Sequence, residues 1–249
     1  MNNRHKIILA LLNDLKKLSV HQLAERLNVS LETIRRDLAL LSQAGLIYRT
    51  HGGAVNKETK DIGAPFQIRQ RTRAEQKKYI ASLVADYFFE DMVLGLDASS
   101  TSWYVAQLIP DMPCTVVTNS MHNINALASK TKIRTIATGG IYSAKYHAFY
   151  GPLSERLLSR LHINISIFSC VGLDDTGAIW ESNELNVSIK NKFIETSEQN
   201  FLVIDASKFN KRNLIKLADL SEFDILFSEK NLPESIIKYC DKHNVMIVQ

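Results

Sequence analysis

Hydrophobic positions in the first third of the chain fall at helical spacing in three short blocks. Ile7, Ile8, Leu11, Leu12 and Leu15 share one face of a helix predicted over 4–15. Leu23, Ala24 and Leu27 share a face of a second helix over 20–27. Ser19 and Gln22 stand at the spacing of a capping box, in which each side chain satisfies the other's backbone amide. Asn28-Val29-Ser30 leaves only a tight turn before a third helix. Its apolar stripe is Leu31, Ile34, Leu38 and Leu41, and it ends near Gly45. Two short helices joined so tightly predict a helix-turn-helix, with Ala24 small enough to let them cross closely. Residues 46–55 form two short apolar runs around Gly52-Gly53 and predict a β-hairpin. Directly after a recognition helix, such a hairpin is a wing.

The polar positions on these elements name the chemistry. Ser30 caps the third helix, and Glu32, Thr33, Arg35, Arg36 and Asp37 lie off its apolar stripe. A first turn carrying Thr and Arg suits the major groove, where Arg pairs with guanine and Thr reaches a base edge or a thymine methyl. The candidate DNA contacts of the helix are therefore Ser30, Glu32, Thr33, Arg35 and Arg36. Those of the wing are Arg49, His51 and Gly52, along the phosphate backbone or near the minor groove. Residues 1–57 are expected to be a winged helix-turn-helix domain that binds double-stranded operator DNA.

Residues 58–74 are polar, include Gly63 and Pro65, and read as a linker. A basic run overlaps it, with Arg69, Arg71, Arg73, Lys77 and Lys78. This run has two readings, a continuation of the DNA-facing surface or a solvated connecting helix. From residue 75 the pattern changes. Apolar strands at 92–96, 114–118, 133–137, 165–171, 201–204, 225–227 and 245–248 alternate with helices at 79–89, 103–109, 121–128, 153–161, 183–195 and 233–240. Alternation of this kind predicts an α/β domain over 75–249 with a mostly parallel sheet.

Five of these strands end in small polar residues: Asp97–Thr101, Asn119-Ser120, Thr138–Gly140, Asp174 and Asp205–Lys208. Ligands of open α/β sheets bind beyond the carboxyl ends of the strands, so these ends are expected to converge on one pocket. The sharpest is Asp97-Ala-Ser-Ser-Thr101, a hydroxyl-rich junction of strand and helix. Helix N-terminal amides with Ser99, Ser100 and Thr101 hydroxyls suit a phosphate, although the same pattern also fits a plain N-capping turn. Lys208 would supply counter-charge, and Asp97 and Asp174 would accept from sugar hydroxyls. Gly139, Gly140, Lys145 and Glu184 are further candidates by position, and Glu181 is placed to enter with Glu184. Trp103 and Tyr104 read as core more readily than as a sugar platform.

Charge sharpens the division. Residues 1–80 carry 15 Lys+Arg against 7 Asp+Glu, whereas residues 81–249 carry 15 against 19. A basic first third on an acidic remainder fits a nucleic-acid module joined to something else. Cys114, Cys170 and Cys240 are unclustered and sit in or beside apolar runs, which argues against a disulfide framework and for buried reduced thiols. His147 and His162 lack metal-ligand spacing. No cofactor and no metal are expected. The apolar run over 7–12 is too short for a signal core, and no stretch reaches the roughly 20 apolar residues of a membrane span. A cytoplasmic protein without membrane contact is expected.

Ser30-Leu-Glu-Thr-Ile-Arg-Arg-Asp-Leu38, with Gly45-Leu-Ile-Tyr-Arg-Thr-His-Gly-Gly-Ala54, resembles the DNA-binding domain of the DeoR family of bacterial sugar-operon regulators. The second half resembles that family's sensor domain, which implies a fold related to sugar-phosphate isomerases and deaminases. The resemblance covers essentially the whole chain. Leu96–Tyr104 and Ile167–Asn183 are similar to a fucose-type subgroup. That implies L-fuculose 1-phosphate as effector and activation rather than repression. Ser99 stands where family members commonly carry glycine, and the fucose-type members share this serine.

Three functions compete at this point. The first is a DNA-binding regulator switched by a sugar phosphate, acting as a homo-oligomer because operators are often palindromic. The second is a sugar-phosphate isomerase or deaminase with an added DNA module. Such chemistry needs a base that shuttles a proton; Asp97 and Asp174 are candidates by position, and no His–carboxylate pair is evident. The third is a regulator without a small-molecule effector. The first is the expected function: a regulator and not an enzyme, with alternatives in the sign of regulation and the identity of the sugar phosphate.

Overall fold

The computed structural model describes residues 3–15, 17–44, 46–50, 52–56, 63–229 and 231–249. The chain divides into two compact units, Met1–Ile62 and Gly63–Gln249.

The first unit contains α1 (Asn3–Leu15), β1 (Lys17–Ser19), α2 (Val20–Leu27), α3 (Leu31–Gln43), β2 (Ile47–Thr50) and β3 (Gly53–Asn56). Its core is Ile8 and Leu12 of α1, Leu23 of α2, and Ile34, Leu38 and Leu41 of α3. These lie on the apolar stripes read from the sequence, but Ile7 and Leu15 of the expected α1 stripe are exposed, so the buried face of that helix is narrower than its periodicity predicts. Ser19 and Gln22 form the capping box of α2, and Ser30 caps α3 by accepting from Thr33 N at 3.2 Å. The expected C-cap Gly45 lies outside the described residues. The wing is a three-stranded sheet in the order β1-β3-β2, because three residues before α2 pair with the hairpin. The two glycines of the turn do different work. Gly52 adopts φ +84°, and Gly53 has no room for a side chain, since a Cβ would meet Leu18 O at 2.2 Å.

The second unit is a three-layer α/β body. Its main sheet has seven parallel strands in the order β15-β14-β12-β9-β4-β5-β6. These are β4 (Val93–Leu96), β5 (Cys114–Thr118), β6 (Ile133–Ala137), β9 (Ile163–Phe168), β12 (Ser197–Val203), β14 (Ile225–Phe227) and β15 (Met246–Val248). Neighbouring residues on one strand serve opposite faces. Val116, Phe201 and Val203 pack with α5 (Ala74–Val84), α6 (Ser100–Leu108) and α7 (Met121–Leu127), while Val117 and Leu202 pack with α8 (Pro152–Leu158), α9 (Glu184–Thr196) and α10 (Glu234–His243). Both faces are covered, which is why the strands read as continuous apolar runs. A hairpin of β7 (Ile141–Ser143) and β8 (Ala148–Tyr150) follows β6. A small antiparallel sheet of β10 (Gly172–Leu173), β11 (Ala178–Glu181) and β13 (Ile215–Asp219) completes the unit.

Two expectations change. The stretch read as linker is not all connector: α4 (Phe66–Arg71) lies in the second unit, with Phe66 fully buried against Trp103 and stacked on His122 at 3.7 Å. Asp37 is not a solvated residue of α3 but is buried at 4% exposure. It accepts from Arg4 Nη2 at 3.0 Å and faces His5 Nε2 at 3.0 Å. The hydrogen bond from Arg4 leads in holding its carboxyl below the ordinary range. A carboxylate bonded to Arg4 and in contact with His5, both of α1, clamps that helix to α3. Periodicity alone could not show this, because the partners are 32 and 33 residues away.

Candidate functional site

In α3 the residues turned away from the core are Glu32, Arg35 and Arg36, all exposed. Arg35 Nη1 donates to Glu32 Oε2 at 3.4 Å, so this pair is partly self-engaged. Ser30 and Thr33 are bound to each other, Oγ to Oγ1, at 2.8 Å. Arg36 makes no hydrogen bond or ion pair among the described residues and presents a whole guanidinium. Arg49 is exposed on β2, and Gly52 sits at the hairpin tip. His51 lies outside the described residues.

The second candidate site lies at the carboxyl ends of the parallel strands. Its centre is Asp97, directly after β4 and 1% exposed. One carboxylate oxygen accepts from Ser99 N at 3.0 Å and from Ser102 Oγ. The other accepts from Ser169 N at 3.4 Å and lies 3.1 Å from Lys190 Nζ. Lys190 also donates to Glu181 Oε1 and to the Ser169 carbonyl. Burial by itself would favour a neutral amine, but Glu181 and Asp97 outweigh it and raise the Lys190 pKa. The ammonium thus donates to two acceptors and is paired with two carboxylates, and Lys190 organises the loop rather than offering charge to a ligand.

The packing explains how a lysine comes to lie there. A Cβ at Gly95 would meet Phe193 Cδ1 at 2.9 Å, so α9 seats Phe193 directly on β4. One turn earlier on the same helix face, Lys190 falls beside Asp97, two residues further along the strand. The sequence reading noted Glu181 only by position and missed Lys190. The available signal was a lysine on the buried stripe that also carries Ile189 and Phe193.

Around this centre the loop 97–102 is tightly bound. Ser99 N-caps α6, accepting from Ser102 N at 3.0 Å. Ser100 and Thr101 are buried in the first turn, where helix amides lack intrahelical partners. Asn123 Nδ2, in the first turn of α7, donates to Asp97 O at 2.9 Å and to Thr118 Oγ1 at 3.0 Å, which ties the end of β4 to that of β5. After β6, Gly139 and Gly140 take φ +65° and +105°, and a Cβ on Gly140 would strike Tyr150 O at 2.5 Å. Lys145 lies in the β7–β8 turn with its Nζ 5.2 Å from the Tyr146 ring centre.

Three candidates stand apart. Asp174 belongs to the small sheet and is filled by local partners. Thr176 N, Thr176 Oγ1 and Ala178 N share one of its oxygens, while Trp180 Nε1 and Arg212 Nε share the other. Burial works against its charge, but the bonds from Thr176, Ala178 and Arg212 prevail and hold it at about 2. Glu184 is the exposed first residue of α9. Lys208 is half-buried in the turn after β12, where its charge bears on Lys77 and Lys211. The basic run over 69–78 is largely absorbed by this unit. Arg73 pairs with Asp205 at 2.9 Å and with Glu229. Lys77 is buried on the carbonyls of Arg69 and Thr72, and burial, helped by Lys208, pushes it down to about 8. Arg71 and Lys78 remain exposed.

Residues 4–60 match the DeoR-like helix-turn-helix domain, and residues 72–230 match the DeoR C-terminal sensor domain. The chain belongs to the DeoR family. It is a transcriptional regulator of the sugar-operon type, with an N-terminal DNA-binding unit and a C-terminal sensor built on a parallel sheet. Among the relatives of this DeoR-family chain is an L-fucose operon activator of Haemophilus influenzae, 57% identical over all of both chains. Another L-fucose operon activator, from Escherichia coli K12, is 37% identical over 94% of this chain and 98% of its own length. A solved ribose 5-phosphate isomerase of Methanocaldococcus jannaschii superposes with a TM-score of 0.42 at 12% identity, covering 55% of each chain. A likeness that weak carries no argument about activity. Among the described residues no helix is long and apolar enough to cross a membrane.

Proposed function

We propose that this DeoR-family regulator activates an operon for L-fucose utilisation in response to L-fuculose 1-phosphate. The observation that carries the reading is identity of 57% along the whole length with an L-fucose operon activator. The strand-end loop supports the chemistry. Buried Ser100 and Thr101 at the start of α6 offer hydroxyls and first-turn amides to a phosphate, with Ser99 capping the turn; Gly139 and Gly140 follow β6, and Lys145 lies in the hairpin after them. In this reading Asp97 shapes the loop, its carboxylate being already occupied by four partners. Asp174 likewise serves its own turn. Neither has a free oxygen to shuttle a proton, which favours a sensor over an isomerase. Operator DNA is read by Thr33, Arg35 and Arg36, with Ser30 and Glu32 setting the helix start and Arg49, His51 and Gly52 on the wing. The protein works in the cytoplasm as a homo-oligomer.

Isothermal titration calorimetry of the full chain tests the effector. Binding of L-fuculose 1-phosphate without binding of L-fucose is expected. Binding of a different sugar phosphate would keep the sensor and discard the fucose assignment. Transcription in vitro from an L-fucose promoter, with and without the sugar phosphate, tests the sign of regulation, and sedimentation tests the oligomer.

A further inference from the structure

Gly63 is the first residue of the second unit, and the next eight residues do not hang free. The side chain of Arg69 on α4 ties them to the strand-end loop. Its Nε donates to Ala64 O at 3.1 Å, within the connecting segment. Its Nη2 donates to Ala98 O at 3.3 Å, within the loop between Asp97 and Ser99. The guanidinium carbon lies 5.5 Å from the ring centres of both Phe66 and Tyr146.

Two features make this arginine unusual in the run. Arg73 has Asp205 and Glu229 as ion-pair partners, whereas Arg69 has no carboxylate partner among the described residues. Two of its five N–H donors are used, on neutral carbonyls, so the group keeps its charge and most of its donors for an anion. Its backbone is also fixed: Lys77 Nζ donates to Arg69 O and Thr72 O, and this buried cation pins the last turn of α4. Movement of the guanidinium is then passed toward Ala64, ahead of the helix, and not toward its pinned last turn.

We infer that Arg69 couples occupation of the strand-end loop to the segment leading back to the DNA-binding unit. This rests on the sugar-phosphate reading of that loop. Without ligand, Arg69 holds Ala98 O and Ala64 O at once. A phosphate at the start of α6 competes for the same fork, and the charge-assisted bond is the stronger. The two arrangements differ in their grip on residues 63–66. A ligand shifts an equilibrium only through such a difference.

The test uses the full chain, a DNA duplex it selects from a random pool, and L-fuculose 1-phosphate as probe. The quantity read is the ratio of DNA dissociation constants with and without saturating probe. In the wild type this ratio is expected to differ from one by about 5- to 150-fold, the usual range of allosteric coupling. In Arg69→Gln it falls to within about twofold of one, while calorimetry still detects the probe. Arg69→Lys keeps the charge but not the fork, and it is also expected to uncouple. Arg71→Gln removes the same charge from an exposed neighbour and keeps the wild-type ratio. Tryptophan fluorescence checks that each variant is folded. A wild-type ratio in Arg69→Gln, or loss of the ratio in Arg71→Gln, overturns the inference and leaves the effector assignment standing. A wild type that binds the probe with a ratio of one does the same. A wild type that does not bind the probe overturns both.

Discussion

Replacing Lys190 by Met removes a buried charge and leaves its partners in place. The ammonium is 3.1 Å from Asp97 and bonded to Glu181, with side chains 7%, 1% and 3% exposed. Methionine is close in volume, so the change is electrostatic more than steric. Asp97 keeps Ser99 N, Ser102 Oγ and Ser169 N, and Glu181 keeps Ser182 N and Asn186 Nδ2. Two buried carboxylates are then left with no cation between them. Breaking a buried pair from one side costs about 3–5 kcal/mol. At roughly 2–4 °C per kcal/mol for a unit of this size, the melting temperature drops by roughly 6–20 °C. Both tryptophans, Trp103 and Trp180, lie in the second unit, so fluorescence during urea unfolding reports that unit alone. Adding Glu181→Gln to Lys190→Met is expected to recover part of the loss, because one of the stranded charges is gone. A loss below about 1 kcal/mol at pH 7, the scale of an exposed pair, would refute the view that the triad is a buried, mutually dependent network.

Arg36→Ala is expected to weaken binding to specific DNA by about 1–3 kcal/mol, the scale of one base contact; fluorescence anisotropy that shows no change removes Arg36 from the interface. Gly53→Ala places a methyl 2.2 Å from Leu18 O and is expected to part β1 from β3 and speed amide exchange on both strands. Unchanged exchange would mean that the wing tolerates the clash. Asp174 sits at about 2 against an ordinary 3.8, so the stability it gives is present above pH 4 and is lost as pH falls toward 2. Asp174→Asn is expected to flatten acid unfolding across that window, as followed by tryptophan fluorescence, and an unaltered acid limb would remove the carboxylate from the account.

The sequence by itself determined the elements whose partners are close along the chain. Helical periodicity, the Ser19–Gln22 box and the Ser30 cap placed α2 and α3, and the strands 114–118, 133–137 and 225–227 were legible from their apolar runs. These signals are local, since a cap or a stripe is complete within a turn or two. The strand-end loop was legible for the same reason, as hydroxyls joining one strand to one helix. Tertiary structure alone decided what was assembled around them. Asp37 reads as a solvated residue of a recognition helix until α1 brings Arg4 and His5 to it. Lys190 reads as one polar residue of α9 until Phe193 seats that helix on Gly95 and delivers the lysine to Asp97, 93 positions away in the chain. The run over 69–78 reads as one basic patch, yet burial divides it into Arg73 and Lys77, which are spoken for, and Arg69, which faces the loop. Charge sign and helical face can be counted along a chain, but the partner that neutralises a buried charge is set by packing between elements.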